Sequence, residues 1–293
     1  MNHLRVGDAE LFRIEEMIDT SFVATDFIPS FDEAALAPHM DWLAPNHYNP
    51  ATGGLSLSMH AWVVRTGRHT VLIDTCVGND KDRMPRAHWH QMDTPFLDRL
   101  RATGVAPEDI DYVMCTHLHP DHVGWNTKLE DGRWVPTFPN AKYLFGEVEY
   151  EHWLANPSDN SVRQNAINDS VLPIVEAGRA EMIRDGHDVD GSFTVEASPG
   201  HTPGHHDFRL VSDGKDAQFT GDAIHHPVQI YNVDWSTSAC SDPLLAAKSR
   251  RRILEKCCER NSLLLPAHFL TPSCGHVVDA GGGEFGFDWG QGE

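Results

Sequence analysis

Basic residues are scarce in this chain. Only 23 Lys and Arg stand against 43 Asp and Glu in 293 residues, a formal net charge of −20. That balance repels phosphate backbones and argues against a nucleic-acid partner. Also missing is any apolar run long enough to cross a bilayer, and Met1 to Asp8 has no apolar core of signal-peptide length. The expectation is therefore a cytoplasmic protein with no membrane partner. The six cysteines, Cys76, Cys115, Cys240, Cys257, Cys258 and Cys274, show no framework spacing, unlike a disulfide scaffold, and fit the same compartment. No internal repeat, low-complexity linker or second-domain boundary is visible. At this length one α/β domain, or one domain with an arm, can bury a large core.

Histidine, by contrast, is plentiful, with 19 copies unevenly placed. The run Thr116-His117-Leu118-His119-Pro120-Asp121-His122 follows the strand-like Tyr112-Val113-Met114-Cys115 and packs three imidazoles and a carboxylate into six consecutive residues. Buried His and Asp are costly to desolvate, so a cluster at a strand end points to a metal. Neutral imidazole suits zinc, iron, nickel or copper, and a carboxylate adds a hard ligand whose charge offsets the cation. His3, His39, His69, His88, His90, His152 and His187 lack such a context and read as solvated surface residues. Three more candidates each follow an apolar segment: His201 in a Pro/Gly-rich turn after Phe193 to Ala197, Asp222 after Gln218-Phe219-Thr220-Gly221, and His268 after Leu263 to Ala267. A sheet with its site built at one edge produces this pattern.

The series His117-x-His119-x-Asp121-His122, then His201, Asp222 and His268, resembles the ligand order of the metallo-β-lactamase superfamily, and Leu72-Ile73-Asp74-Thr75 resembles that family's first motif. Pattern alone gives an α/β fold; the resemblance implies a four-layer αββα sandwich of two mixed β-sheets. It further implies two divalent metal ions, zinc by base rate, with manganese, cobalt and iron accepting similar ligands. One would be held by His117, His119 and His201, the other by Asp121, His122 and His268, with Asp222 bridging. Asp74 would orient the metal loop without binding metal. Two cations sharing a water make a metal-bridging hydroxide available as nucleophile, and Asp121 is the candidate to carry a proton to the leaving group.

An aspartate, Asp222, stands where antibiotic-resisting zinc β-lactamases carry a cysteine ligand, which argues against a true β-lactamase. This ligand set and the segment Gly221 to Gln229 resemble instead the branch of N-acyl-homoserine lactone lactonases and methyl parathion hydrolase. The implied activity is opening of a lactone or cleavage of an ester in a small, largely uncharged substrate. Alternatives are an organophosphate triester hydrolase, a glyoxalase-II-like thioesterase, which the glycine-rich acidic stretch 281–286 disfavours, and a mononuclear-iron persulfide dioxygenase. Homodimerisation is a family-level expectation.

Residues 1–58 read as an N-terminal arm rich in aromatics and proline, with little periodicity, suited to cover a site or contact a second subunit; residues 59–293 read as the hydrolase domain. Within it, His60 to Arg65 and Thr70 to Ile73 predict a hairpin, as do Phe208 to Val211 and Ala217 to Thr220. Phe96 to Thr103, Glu147 to Leu154 and Pro243 to Arg260 predict helices, the last with Leu244, Ala247, Leu254 and Cys258 on one face. Trp125, Ile224, His225 and Phe269 adjoin the ligands and are the candidate substrate-binding residues.

Overall fold

The computed structural model describes residues 3–290. The first sheet contains β1 (His3–Val6), β2 (Ala9–Val23), β3 (Tyr48–Asn49), β4 (Gly54–Arg65), β5 (Thr70–Ile73) and β6 (Tyr112–Met114). After a separate hairpin of β7 (Thr127–Glu130) and β8 (Arg133–Pro136), the chain returns to that sheet with β9 (Lys142–Gly146) and β10 (Ala180–Ile183). The second sheet follows in chain order: β11 (Asp188–Val189), β12 (Phe193–Ala197), β13 (His206–Ser212), β14 (Lys215–Gly221), β15 (Leu263–Pro266), β16 (Gly275–Gly281) and β17 (Glu284–Asp288). Both sheets are mixed. β5, β6, β9 and β10 pair in parallel beside the antiparallel β2 and β4, and β14 pairs in parallel with β15 inside an otherwise antiparallel array.

Alternation along the strands builds the layers, because successive side chains of a strand point to opposite faces. Val71 and Ile73 join Trp62, Met114 and Leu144 in a cluster with Phe193, Phe208, Phe219 and Leu265, which seals the two sheets together. Leu72, Val113, Tyr143 and Phe145 belong to a second cluster with Phe96, Leu100, Ile167 and Ile174 from the helices outside the first sheet. Leu264 and Val277 cluster with Ile253, Leu254 and Cys257 of the helix Pro243–Arg260, outside the second. The result is the expected helix–sheet–sheet–helix sandwich.

The expected hairpins form, with Arg65 opposite Thr70 and Ser212 opposite Lys215. The helices span Phe96–Ala102, Glu147–Ala155 and Pro243–Arg260. Two expectations need correction. The last helix does not bury Leu244, which is 77% exposed; its inner face instead carries Arg250, whose Nε donates to Ala223 O at 2.8 Å, so a charged residue takes a place that hydrophobicity would not assign it. The first part of the N-terminal arm is no arm at all: β2 pairs along β4 from Glu10–Arg65 to Val23–Gly54. Its periodicity is hidden in the sequence because the register shifts between Glu15 and Met17 and again between Asp19 and Phe22, and because Arg13, Glu16 and Asp19 are buried among the apolar residues. Beyond it, Ala24, Ile28, Leu36, Leu43 and Tyr48 pack against Leu55 and Val228.

Candidate metal centre

The site lies where strand ends from both sheets converge. His117, His119 and His122 follow β6 in a loop and a short helix, Pro120–Val123. His201 sits in the turn between β12 and β13, Asp222 follows β14, and His268 follows β15. Glycine makes two of the approaches possible. A Cβ on Gly124 would stand 1.8 Å from the Val77 carbonyl oxygen, and Gly221, at φ +47°, turns the chain into Asp222 where a Cβ would meet Thr116 at 2.7 Å.

Two groups of ligand atoms result, His117, His119, His201 and Asp222 in one and Asp121, His122 and His268 in the other, each with its atoms within 4.8 Å of one another. His201 Nε2 is 3.2 Å from His117 Nε2, 2.9 Å from His119 Nδ1 and 3.2 Å from Asp222 Oδ2. On the other side, Asp222 Oδ1 is 3.1 Å from His122 Nε2 and 2.9 Å from His268 Nε2. Asp121 Oδ2 stands 3.9 Å from His122 Nε2 and 3.8 Å from His268 Nε2. The two oxygens of Asp222 thus face different histidine groups.

The outer nitrogen of most of these rings is tethered. His122 Nδ1 pairs with Asp74 Oδ2 at 2.9 Å, His268 Nδ1 donates to Ser58 O at 3.0 Å, and His117 Nδ1 lies 3.1 Å from Thr116 Oγ1. Such partners fix the tautomer and leave Nε2 with its lone pair aimed inward. Asp74 also accepts from Thr116 N at 2.8 Å, so one carboxylate holds both ends of the histidine-rich loop. Burial pushes His117, His119 and His201 well below the ordinary imidazole pKa. It opposes the charged form of His122 too, but Asp222, Asp74 and Asp121 outweigh it and raise that pKa. Burial would raise Asp222, yet His122, His268, His225 and His201 bring it well below the usual carboxylate value.

These features fit divalent cations. The neutral rings of His117, His119 and His201 converge lone pair on lone pair, at spacings close to the roughly 3.3 Å edge of a tetrahedron with about 2.0 Å bonds. His122 Nε2 and Asp222 Oδ1 are buried and make no hydrogen bond despite their proximity. A buried polar atom left so is expensive unless an ion completes it.

Around the cluster runs a cleft whose walls include Phe22, Phe27, Leu57, Trp89 and Val162. His225 lines it, with Nε2 3.2 Å from Asp222 Oδ2 and neither ring nitrogen hydrogen-bonded. The other three expected wall residues lie in the core. Trp125 stacks on Phe96 at 5.3 Å and donates from Nε1 to Glu16 Oε1 at 2.6 Å; Ile224 and Phe269 are fully buried beside Phe285 and Phe287. A large apolar residue next to a ligand in sequence points away from it when the strand end feeds a core on its other side.

Sequence reasoning also missed supports that carry no motif. Glu149 accepts from Leu118 N, Gly204 N and Trp153 Nε1, joining two ligand-bearing loops. His205, pushed down to about 3 by burial, accepts from Asp222 N at 3.0 Å. Of the wall residues, Phe22 and Phe27 belong to the aromatic N-terminal segment suited to cover a site, and Val162 and Arg163 to the insertion between the histidine-rich loop and His201, a natural place for a wall, whereas Trp89 lies in a segment without any recognisable pattern.

Comparison with known proteins agrees with this geometry. Residues 56–268 match the Metallo-beta-lactamase superfamily. The N-acyl homoserine lactonase AttM of Agrobacterium fabrum is 29% identical over 159 residues, covering 48% of this chain and 55% of that protein. The probable metallo-hydrolase YybB of Bacillus subtilis is 24% identical over 190 residues, covering 61% and 71%. The chain spans about half the length of the lactonases it matches. Among solved structures, the hydrolase AbOPH superimposes with a TM-score of 0.83 at 23% identity, over 99% of this chain and 97% of that one. AidC, a dizinc quorum-quenching lactonase in complex with its product, gives 0.80 at 20% identity, over 99% and 97%. With the family match running from β4 to the last histidine of the cluster, on a sandwich of the same shape, this chain belongs to the metallo-β-lactamase superfamily.

Proposed function

We propose that the protein is a dinuclear metal-dependent hydrolase that opens a lactone or cleaves an ester in a small substrate. The observation that carries this reading is the split carboxylate of Asp222, Oδ2 toward His117 and His201 and Oδ1 toward His122 and His268. His117, His119 and His201 would hold one cation, Asp121, His122 and His268 the other, and Asp222 both. When bound, two such cations supply Lewis acidity and acidify a shared water, so that a nucleophile forms near neutral pH.

The chain's own residues do the rest. Asp74 holds His122 in its tautomer, and Asp121, which lines the cleft, would take up the proton released by the attacking water on the oxygen not turned to the cation and return it to the leaving oxygen. His225 faces the cleft with an unengaged ring nitrogen and donates to the substrate's carbonyl or leaving group. Phe22, Phe27, Leu57 and Val162 hold an apolar portion and exclude water. The names of the lactonase relatives AttM and AiiA support a lactone or ester over a phosphotriester. Zinc is the expected metal, in keeping with the dizinc neighbour.

The test is a panel of lactones, aryl esters, thioesters and phosphotriesters assayed on protein of measured metal content. Highest kcat/KM on lactones or aryl esters, with two metals per chain, is the expected result. Absence of turnover on any member at full loading, or oxygen consumption with a single iron, would overturn it.

A further inference from the structure

Two guanidinium groups face the cleft. Arg163, in the first turn of the helix Ser161–Ala166, and Arg86 both line it together with His119, Asp121 and Asp222. Each is held by aromatic surface. Arg163 lies 6.0 Å from the Trp153 ring and reaches only one weak acceptor, Ala239 O at 3.5 Å. Arg86 stands 4.6 Å from the Trp89 ring and 5.4 Å from Phe22. Among the described residues neither forms an ion pair: Arg86 is exposed to solvent, but Arg163 is half-buried, whereas the buried Arg83 pairs with Asp169 at 2.6 Å and the half-buried Arg209 with Asp216. The carboxylate that acts on Arg163 is Asp121, already engaged with His122 and His268. Asp26 lies along the hollow on the far side of Arg86.

This is unexpected in a chain with 43 acidic residues, where carboxylates are available in excess. Arg163 is partly desolvated and repelled by Arg86, and both effects lower its pKa. Arg163 and Arg86 repel each other in the cleft wall, and an anion bound between them would relieve that repulsion.

Resting on the hydrolase reading above, the geometry points to a substrate that carries a carboxylate apart from the bond that is broken, held by Arg163 and Arg86 while the ester or lactone carbonyl lies at the histidine cluster. A guanidinium offers parallel N–H donors that match the two oxygens of a carboxylate. The largely uncharged substrate implied by the family resemblance gives way to a singly anionic one with an apolar spacer, along the wall of Phe22, Phe27 and Val162.

Matched esters test this: mono-4-nitrophenyl adipate and suberate against 4-nitrophenyl hexanoate and octanoate, on the metal-loaded protein. The acid-bearing member of each pair is expected to show the higher kcat/KM, and the ratio within a pair to fall about tenfold in Arg163→Gln and in Arg86→Gln. Arg163→Lys should keep part of the preference. Taking the ratio cancels any general loss of activity in a variant. Hydrolysis of the neutral esters with no preference for the acids, or a preference untouched by the substitutions, overturns the anion site and leaves the hydrolase intact. If no ester is turned over, the hydrolase reading fails, and calorimetric titration still decides the anion site. Suberate should then bind the wild type about tenfold tighter than the double Gln variant, while dimethyl suberate should not discriminate between them; suberate affinity untouched by the substitutions would dispose of it.

Discussion

Glu16 offers a stringent test of how the metal loop is held. Its carboxylate is buried under the first sheet and accepts four hydrogen bonds, from Val77 N at 2.8 Å, Gly78 N at 3.2 Å, Trp125 Nε1 at 2.6 Å and Thr94 Oγ1 at 3.1 Å. Burial is the largest influence on it and raises its pKa in spite of these donors, so the negative charge itself adds little. The acceptor geometry is what matters. In Glu16→Ala, Thr94 retains Asn79 Oδ1 at 3.1 Å, but the other three donors are stranded. At about 1–3 kcal/mol for each stranded buried donor, the loss is about 3–9 kcal/mol. An unfolding entropy of about 2.1 cal/mol/K per residue turns this into a fall of about 5–15 °C in Tm. Glu16→Gln keeps the oxygen that serves Trp125, Gly78 and Thr94 and strands only Val77 N, for about 1–3 kcal/mol and about 2–5 °C. Scanning calorimetry on metal-stripped protein measures both values without ligand linkage. The Ala variant should also lose metal affinity, because Val77 continues the segment in which Thr75 N and Oγ1 donate to His122 O. If the two variants melt within about 1 °C of each other, the argument from acceptor geometry is wrong.

Four further outcomes follow from the same coordinates. Asp222→Ala should drop the bound metal below two per chain and lower kcat at least about 100-fold, by elemental analysis and steady-state assay; full activity with both metals retained rejects its bridging role. Asp74→Asn should weaken metal binding about 10–100-fold in chelator competition, because His122 Nδ1 loses a charged acceptor; unchanged affinity contradicts the orienting role. Lys81, buried against Asp169 and the Trp134 ring, has its pKa lowered from 10.5 to about 7, chiefly by burial. Between those values the unfolded chain binds the extra proton, so this group makes stability rise with pH from about 7 towards 10.5; Lys81→Met should remove that rise in denaturation curves taken across the range. Phe269→Ala should cost about 3–5 kcal/mol of stability by emptying the core while leaving the order of substrate preference unchanged, whereas Phe27→Ala, in the cleft wall, should raise KM.

What could be read from the chain divides along physical lines. The clustering of His117, His119, Asp121, His122, His201, Asp222 and His268 was legible because such residue types at strand ends are costly to desolvate and therefore rare by chance. The hairpins and the two long helices showed in the apolar period. β2 did not, since its register shifts and its buried Arg13, Glu16 and Asp19 break the alternation that betrays a strand. Leu244 and Arg250 exchanged places for a similar reason: hydrogen bonds to the Ala223 and Val233 carbonyls bury a guanidinium, and periodicity registers only hydrophobicity. Trp125, Ile224 and Phe269 were assigned by adjacency, but neighbours along a chain point to opposite sides. The true wall residues come from segments distant in sequence, whose meeting depends on the whole sandwich.

That last arrangement has a practical consequence for altering the enzyme. Phe22 and Phe27, Arg86 and Trp89, and Val162 and Arg163 belong to three stretches that contribute no ligand to the histidine cluster. On the proposed function, selectivity and reactivity would be encoded on separable parts of the gene. A combinatorial library confined to these six codons can be screened for new preferences with the ligand set left untouched, and a failed clone then reports on fit rather than on lost chemistry.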